Sequence, residues 1–171
     1  SIEDNYLKLR YYEAFSVPDC FFSMMSEDMF ESYKSFFESH LKFLKDFAPK
    51  ESLKRGGVHH FVFALNDGED KILGFRYFFY SLDMSECELF FLYVDPKERK
   101  KGVASSLVDL SISVAIGHGI SKFKVKIVAP EAQGEGLIRL YKALSLAYCP
   151  PCSFEIYYGG KIVKLPSPDM R

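Results

Sequence analysis

A basic turn that contains glycine joins a strand pattern to a helix pattern between Leu92 and Leu107. The sequence is apolar up to Val94, basic at four of the five positions 97–101, and apolar again at helical spacing after Gly102. Such a turn presents unpaired backbone N–H groups at a helix N-terminus, where anions bind. Several neighbouring basic side chains favour a ligand with several phosphates over one with a single carboxylate. The turn therefore predicts a polyphosphate site.

Apolar periodicity predicts the other elements of the chain. Strand patterns cover residues 5–15, 60–65, 72–81, 86–94, 123–128, 153–158 and 161–165, and helix patterns cover 18–47, 102–116 and 136–147. The N-terminal helical region reads as one broken helix or two short ones, and Ser26 is the expected N-cap of the second. Residues 49–57 are expected to form a loop. Gly159 and Gly160 predict a two-residue hairpin turn between the last two strands.

Length and charge narrow the class of protein. A chain of 171 residues is expected to form one domain, residues 1–171, and its 17 Phe and 11 Tyr predict an aromatic-rich core. The formal net charge of -1 argues against broad binding to nucleic acid. No apolar run is long enough for a membrane span, and residues 1–5 lack the pattern of a secretory signal. These observations favour a cytoplasmic protein.

The cysteines and histidines do not predict a metal site. Cys149 and Cys152 have the spacing of a redox pair or of half a zinc site, but no second pair completes a tetrahedron. The two intervening prolines favour a connecting loop, so these thiols are expected to be structural or incidental. His59 and His60 are adjacent in a predicted strand, where alternation directs the two rings to opposite faces and prevents them from sharing one ion. We therefore expect no metal.

The basic turn resembles the acyl-CoA-binding signature of the GNAT superfamily of N-acyltransferases. The family pattern is a strand that ends in Val-x-Pro, followed by Arg/Gln-x-x-Gly-x-Gly/Ala, and it is met by Val94, Pro96, Arg99, Gly102 and Ala104. The order of predicted elements also matches this family. The resemblance implies an α/β (α+β) protein with the GNAT fold, in which about four helices flank a central, mixed, mostly antiparallel sheet of about seven strands.

The resemblance also implies where acetyl-CoA or coenzyme A binds. Backbone amides of the turn are expected to hold the pyrophosphate, and the strand before it is expected to pair with pantetheine where the fourth and fifth strands separate. Lys97 is expected to add positive charge beside the phosphates. The expected cofactor-binding residues are Leu92, Tyr93, Val94, Arg99, Lys100, Lys101, Gly102, Val103, Ala104 and Ser105.

Two residues are the candidate catalytic groups. Glu88 lies on the central strand at a position where several members of the family carry a general-base glutamate, with Glu86 and Asp83 further out. A strand-end carboxylate exposed to solvent is the alternative, and some members of the family use a water chain. Tyr141 resembles the family tyrosine that can donate its O–H to the coenzyme A thiolate. The alternative is that Tyr141 is a core residue packed on the sheet. The family often has Asn seven residues before this Tyr, and Gly134 stands there, which puts that coenzyme contact in doubt.

The sequence thus predicts an acetyl-CoA-dependent N-acetyltransferase that transfers the acetyl group to a primary amine by direct attack in a ternary complex. A small-molecule amine is the favoured acceptor. A protein or another macromolecule is a second acceptor class, and a non-catalytic acyl-CoA-binding module is an alternative without chemistry. Neither membrane nor nucleic-acid partners are expected. The sequence leaves the oligomeric state open, a homodimer included.

Overall fold

A seven-stranded sheet is the centre of the fold, in a computed structural model that describes residues 7–41, 59–81, 83–128 and 131–167. The strands follow one another across the sheet in chain order. They are β1 (Lys8–Glu13), β2 (His59–Leu65), β3 (Ile72–Tyr80), β4 (Glu86–Val94), β5 (Lys122–Lys126), β6 (Ser153–Tyr158) and β7 (Lys161–Leu165). Pairing is antiparallel except for β4 with β5 and β5 with β6, which are parallel. The sheet is therefore mixed and mostly antiparallel, as predicted.

Three α-helices accompany this sheet in the described part of the chain: α1 (Glu27–Ser35), α2 (Val103–Gly117) and α3 (Glu131–Tyr148). A 3-10 helix, Asp19–Met24, precedes α1, and a π-helical turn, Phe36–Leu41, follows it. The Ser26 hydroxyl accepts a hydrogen bond from the Met29 N–H at 3.1 Å, so the predicted N-cap of α1 is confirmed. The loop predicted for residues 49–57 lies outside the described residues.

Each face of the sheet carries its own hydrophobic core. On one face, α2 and α3 pack their apolar stripes, including Leu107, Ile112 and Tyr141, against the strands. On the other face, the N-terminal helices pack Phe21 and Met29 against side chains of β2 and β3. The second core is largely aromatic and is built from edge-to-face ring contacts, which add to the free energy of burial.

Helix α3 begins five residues earlier than predicted. The predicted helix began at Gly136, whereas the helix spans Glu131–Tyr148. Glycine weakens a helix without preventing one, so Gly134 and Gly136 lie inside α3. Among the described residues, no helix combines the length and the apolar character that a membrane crossing requires.

The predicted hairpin between the last two strands is confirmed. Gly159 and Gly160 have φ values of 57° and 77°, and Tyr158 pairs with Lys161 on either side of them. Two consecutive residues at positive φ form the type of turn that fits the twist of a β-hairpin.

Candidate active site

The predicted phosphate-binding turn lies between β4 and α2. Its entry is fixed by Asp95, a buried residue whose carboxylate accepts a hydrogen bond from the Lys97 N–H at 3.0 Å. The chain then turns through Lys100 at φ 66° and Gly102 at φ 82°, which caps α2 without a side-chain hydrogen bond. A β carbon at Gly102 would meet no described atom within 4 Å other than those of its chain neighbours. The N-terminus of α2 is thus open at Gly102, in the part of the chain that the structure describes, and its first N–H groups have no partner within the helix.

Positive charge surrounds this helix N-terminus. Lys97, Arg99 and Lys100 are exposed. Lys101 is exposed too, but its ammonium lies 3.2 Å from the Glu98 carboxylate, so part of its charge is offset within the turn. An exposed pair of this kind is weak and exchanges readily for a phosphate. The observed turn thus combines backbone donors, a helix dipole and cationic side chains.

Strand β4 lies beside β5 over only part of its length. The register joins Glu86–Leu89 of β4 to residues 122–125 of β5, whereas β4 continues to Val94. Over this extension, Leu92, Tyr93 and Val94 pair with β3 on their other side. Their second edge lies beyond the last residue of β4 that pairs with β5, and no strand of the described residues pairs with it. Within the part of the chain that the structure describes, β4 therefore offers a ligand a free strand edge that leads directly into the turn.

A β-bulge at Phe90 changes which side chains of β4 face each core. Leu89 lies opposite Phe78 and Phe91 lies opposite Tyr77, so Phe90 is an extra residue in β4. Before the bulge the odd-numbered residue Leu89 faces the core of α2 and α3, and after it the even-numbered Leu92 does. This bulge was not predicted from the sequence. Its signal was the loss of polar and apolar alternation at two consecutive phenylalanines.

Glu88 lies on the opposite face of the sheet from α2 and α3, because both its neighbours in β4, Cys87 and Leu89, belong to the core on that side. Its carboxylate forms an ion pair with Lys126 of β5 at 2.9 Å and is 19% exposed. Glu86, on the same face, pairs in the same way with Lys124 at 3.4 Å. Of the two glutamates, Glu88 lies nearer to the point where β4 and β5 separate.

Asp83, the third candidate carboxylate, belongs to a turn and not to the strand. It accepts hydrogen bonds from the side chains of Ser81 and Ser85 and from the Ser85 N–H. These bonds favour its charged form and lower the pKa of Asp83 to about 2. A carboxylate with so low a pKa is a poor base, so Asp83 is the weakest of the three candidates.

Tyr141 is fully buried between α3 and the sheet. Its hydroxyl oxygen accepts a hydrogen bond from Nη2 of Arg76 at 2.5 Å. Burial raises the pKa of the Tyr141 phenol, and the nearby Arg76 charge opposes part of that rise. Tyr141 and Glu88 therefore do not meet in one cluster. They lie on opposite faces of the sheet, near the point where β4 and β5 separate.

Arg76 is the polar residue of this region that was not predicted from the sequence. It belongs to β3, where it faces Leu92 of β4, and only 2% of it is exposed. The available signal was a single charged residue inside the apolar strand Ile72–Tyr80, since arginine is seldom buried without a specific partner.

The adjacent histidines His59 and His60 direct their rings to opposite faces of the sheet. The ring of His59 packs beside Tyr77 and Phe79, whereas that of His60 packs beside Phe78 and Tyr80, so the two rings face different cores. Within the described ranges, no group of three or more His, Cys, Asp or Glu side chains is placed to hold a metal ion. Cys152 is buried, and burial raises the pKa of its thiol.

A model of the GNAT acetyltransferase family matches residues 22–146, so the chain belongs to this family. No curated protein matches the sequence significantly. The match spans the turn, β4 and Tyr141 together.

Solved structures share the fold at low sequence identity. An aminoglycoside acetyltransferase from an uncultured soil metagenomic sample, in complex with sisomicin, aligns with a TM-score of 0.54 at 16% identity, over 81% of this chain and 87% of its own. PaiA N-acetyltransferase from Thermoplasma acidophilum, in complex with coenzyme A, aligns with a TM-score of 0.52 at 15% identity, over 78% and 86%. A ribosomal-protein-alanine N-acetyltransferase from Brucella melitensis biovar Abortus 2308 aligns with a TM-score of 0.50 at 18% identity, over 81% of this chain and 90% of its own.

Proposed function

We propose that this protein transfers the acetyl group of acetyl-CoA to the primary amine of a small molecule, by direct attack within a ternary complex. The observation that carries the proposal is the continuity between the free edge of β4 and the N-terminus of α2. An extended pantetheine arm can pair with residues 92–94 while the pyrophosphate reaches the amides of residues 102–105. The ligand that fits is long, with an extended amide-containing arm and phosphates at one end.

In this proposal the two candidate catalytic residues, Glu88 and Tyr141, act on the expected thioester from opposite faces of the sheet. The neutral amine attacks the carbonyl carbon, the carbon–sulfur bond breaks, and its electron pair goes to sulfur. In this proposal the Tyr141 O–H protonates the sulfur, and Glu88, directly or through water, takes the proton that the amine loses. A lysine-type amine has a reference pKa of about 10.4, so a base is needed near neutral pH.

A small amine is the proposed acceptor because an open cavity of about 390 Å³ lies at the ends of β5 and β6, beside the hairpin to β7, with Lys126, Tyr157 and Ile162 among its lining residues. Lys126 also pairs with Glu88, so one side chain links this cavity to the candidate base. The volume suits a small molecule. A cytoplasmic setting, where acetyl-CoA is available, is part of the proposal.

Two measurements test this function. Mass spectrometry of the purified protein should detect bound coenzyme A, and thiol release from acetyl-CoA should depend on an added amine. The amine panel should include small amines, an amino acid, an aminoglycoside and a peptide with N-terminal alanine. Peptide turnover without small-amine turnover would favour a macromolecular acceptor, and binding without turnover would favour a non-catalytic module.

A further inference from the structure

Arg76 carries a buried charge without a carboxylate partner among the described residues. It is the one charged residue of β3 and is 2% exposed. Removal of a guanidinium from water is costly unless its donors are satisfied, and arginine has five of them. One donor, on Nη2, binds the Tyr141 oxygen, whereas the buried Nε has no partner in this part of the chain.

The Arg76–Tyr141 contact fixes the direction of the tyrosine proton. A guanidinium can only donate, so the Tyr141 oxygen is the acceptor in this 2.5 Å hydrogen bond. The O–H hydrogen must then point away from Arg76. No described residue accepts it, since the bond from Arg76 is the one hydrogen bond that the structure gives to Tyr141. The phenol is thus held as a donor.

The position of this contact links it to the gap between β4 and β5. Tyr141 belongs to α3, which packs against β6, yet its hydroxyl reaches Arg76 on β3. The side chains therefore span β4 and β5 on the face of α2 and α3. Arg76 lies opposite Leu92, in the stretch of β4 beyond Leu89, which is the last residue of β4 that pairs with β5. The contact thus lies beneath the free edge of β4.

We propose that Arg76 is a positioning residue for acetyl transfer, which holds Tyr141 so that its proton points to the leaving sulfur and stabilises the phenolate that remains. This inference rests on the proposed function. When the carbon–sulfur bond breaks, sulfur takes the electron pair and the Tyr141 proton, giving the thiol of coenzyme A and a phenolate beside the guanidinium. Glu88 then releases the proton of the amine to solvent, and a proton from solvent restores the Tyr141 phenol. Charge and protons therefore balance over one turnover.

A double-mutant cycle between Arg76→Met and Tyr141→Phe tests this role. Arg76→Met should lower kcat about 10- to 100-fold in the native background, the range that a charge-assisted hydrogen bond supplies. In the Tyr141→Phe background the same change should lower kcat less than about twofold, because no proton remains to be directed. The Kd of acetyl-CoA should stay within about threefold in both backgrounds. A purely structural Arg76 would lower kcat equally in both.

Conservative and control variants separate positioning from folding. Arg76→Lys keeps a buried cation and should retain more activity than Arg76→Met, and it replaces the methionine variant in the cycle if that variant does not fold. Val62→Ala, opposite Arg76 on β2 and fully buried, should lower the melting temperature while kcat stays unchanged.

The outcomes distinguish this inference from the proposed function. Native turnover with equal Arg76 effects in both backgrounds overturns the positioning role and leaves the transferase intact. Absence of any amine acetylation by the native protein overturns both.

Discussion

The ring of Tyr158 lies directly against the α carbon of Gly134. A β carbon at position 134 would overlap the tyrosine ring and stand 2.5 Å from its hydroxyl oxygen. Tyr158 ends β6, and Gly134 lies near the start of α3, so the contact joins the hairpin to the helix. This packing explains why glycine, and not a residue with a longer side chain, occupies position 134. The phenol of Tyr158 fills the space into which the side chain of an asparagine at this position would extend.

Gly134→Ala is expected to destabilise the protein. The added methyl group would overlap the far end of the half-buried Tyr158 side chain, which must move aside, and such overpacking costs about 1–3 kcal/mol. Gly136→Ala is the matched control on the same helix, because its β carbon would meet only Arg139 Nη2, at 3.8 Å. That control should stabilise by about 0.5–1 kcal/mol, since alanine favours a helix over glycine. Urea denaturation measures both changes.

Removal of the Tyr158 ring should also relieve the collision. In a Tyr158→Ala background, Gly134→Ala should become neutral or stabilising, because the obstructing ring is gone and only helix propensity remains. Equal destabilisation by Gly134→Ala in both backgrounds would show that Tyr158 does not set the size limit at this position.

Gly102→Val is expected to weaken coenzyme A binding at least about tenfold, or about 1.4 kcal/mol. The side chain would enter the space beside the α2 amides, and φ 82° adds backbone strain of about 1–3 kcal/mol to stability. Gly119→Val is the control, since Gly119 has φ 88° and equally open surroundings at the other end of α2. Calorimetry should find weaker binding in the first variant alone. Similar affinities in both would place the phosphate site elsewhere.

A double variant, Cys149→Ser with Cys152→Ser, should keep both the fold and the affinity for coenzyme A. No described group of side chains completes a metal site around the pair, and raised thiol pKa values make both sulfurs poor nucleophiles near neutral pH. The burial of Cys152 predicts a modest loss of stability, about 1 kcal/mol. Stoichiometric zinc in the native protein, lost together with the fold in the variant, would contradict this expectation.

Most elements of the fold were predictable because each is encoded locally. Alternation located the strands, and Ser26, Gly159 and Gly160 marked a cap and a turn through their own backbone chemistry. The contact between Gly134 and Tyr158 was not predicted because it joins α3 to a residue on a distant strand. Local patterns contain no information about such a contact.

The site was predictable only in part for the same reason. The candidate phosphate-binding turn is continuous in sequence, so its residues could be named from the resemblance to the family signature. The bulge at Phe90 depends on register with β3, and the bond between Arg76 and Tyr141 joins residues 65 positions apart. That Glu88 and Tyr141 lie on opposite faces follows from the sheet and the helices together.

Tyr141→Phe is expected to lower kcat by about 10²- to 10⁴-fold and to leave acetyl-CoA affinity nearly unchanged. The variant keeps the ring and its packing but removes the proton. Because burial raises the pKa of Tyr141 above its ordinary value of 10.0, the acid stays protonated at every lower pH. The native kcat should therefore show no alkaline fall from this group between about pH 7 and 10. A fall near about pH 8 that vanishes in the variant would contradict the raised pKa.

Glu88→Gln tests the base and has a matched control in Glu86→Gln. Both glutamates lie on one face of β4 and pair with lysines of β5, so each variant breaks one solvent-screened ion pair that contributes little to stability. Glu88 directly precedes Leu89, the last residue of β4 that pairs with β5, whereas Glu86 lies two residues further from the gap. Only the loss of Glu88 should therefore lower kcat, with acetyl-CoA affinity unchanged.

The pH dependence of that defect identifies its cause. A base accelerates the reaction because the amine is protonated near neutral pH, and the neutral fraction rises as pH approaches the amine pKa of about 10.4. The ratio of native to Glu88→Gln kcat should therefore be largest near about pH 7 and decline towards about pH 10. A ratio that stays constant over this range would assign Glu88 an electrostatic role in binding the acceptor cation. Equal activity of the Glu86→Gln and Glu88→Gln variants would instead indicate a water chain as the base.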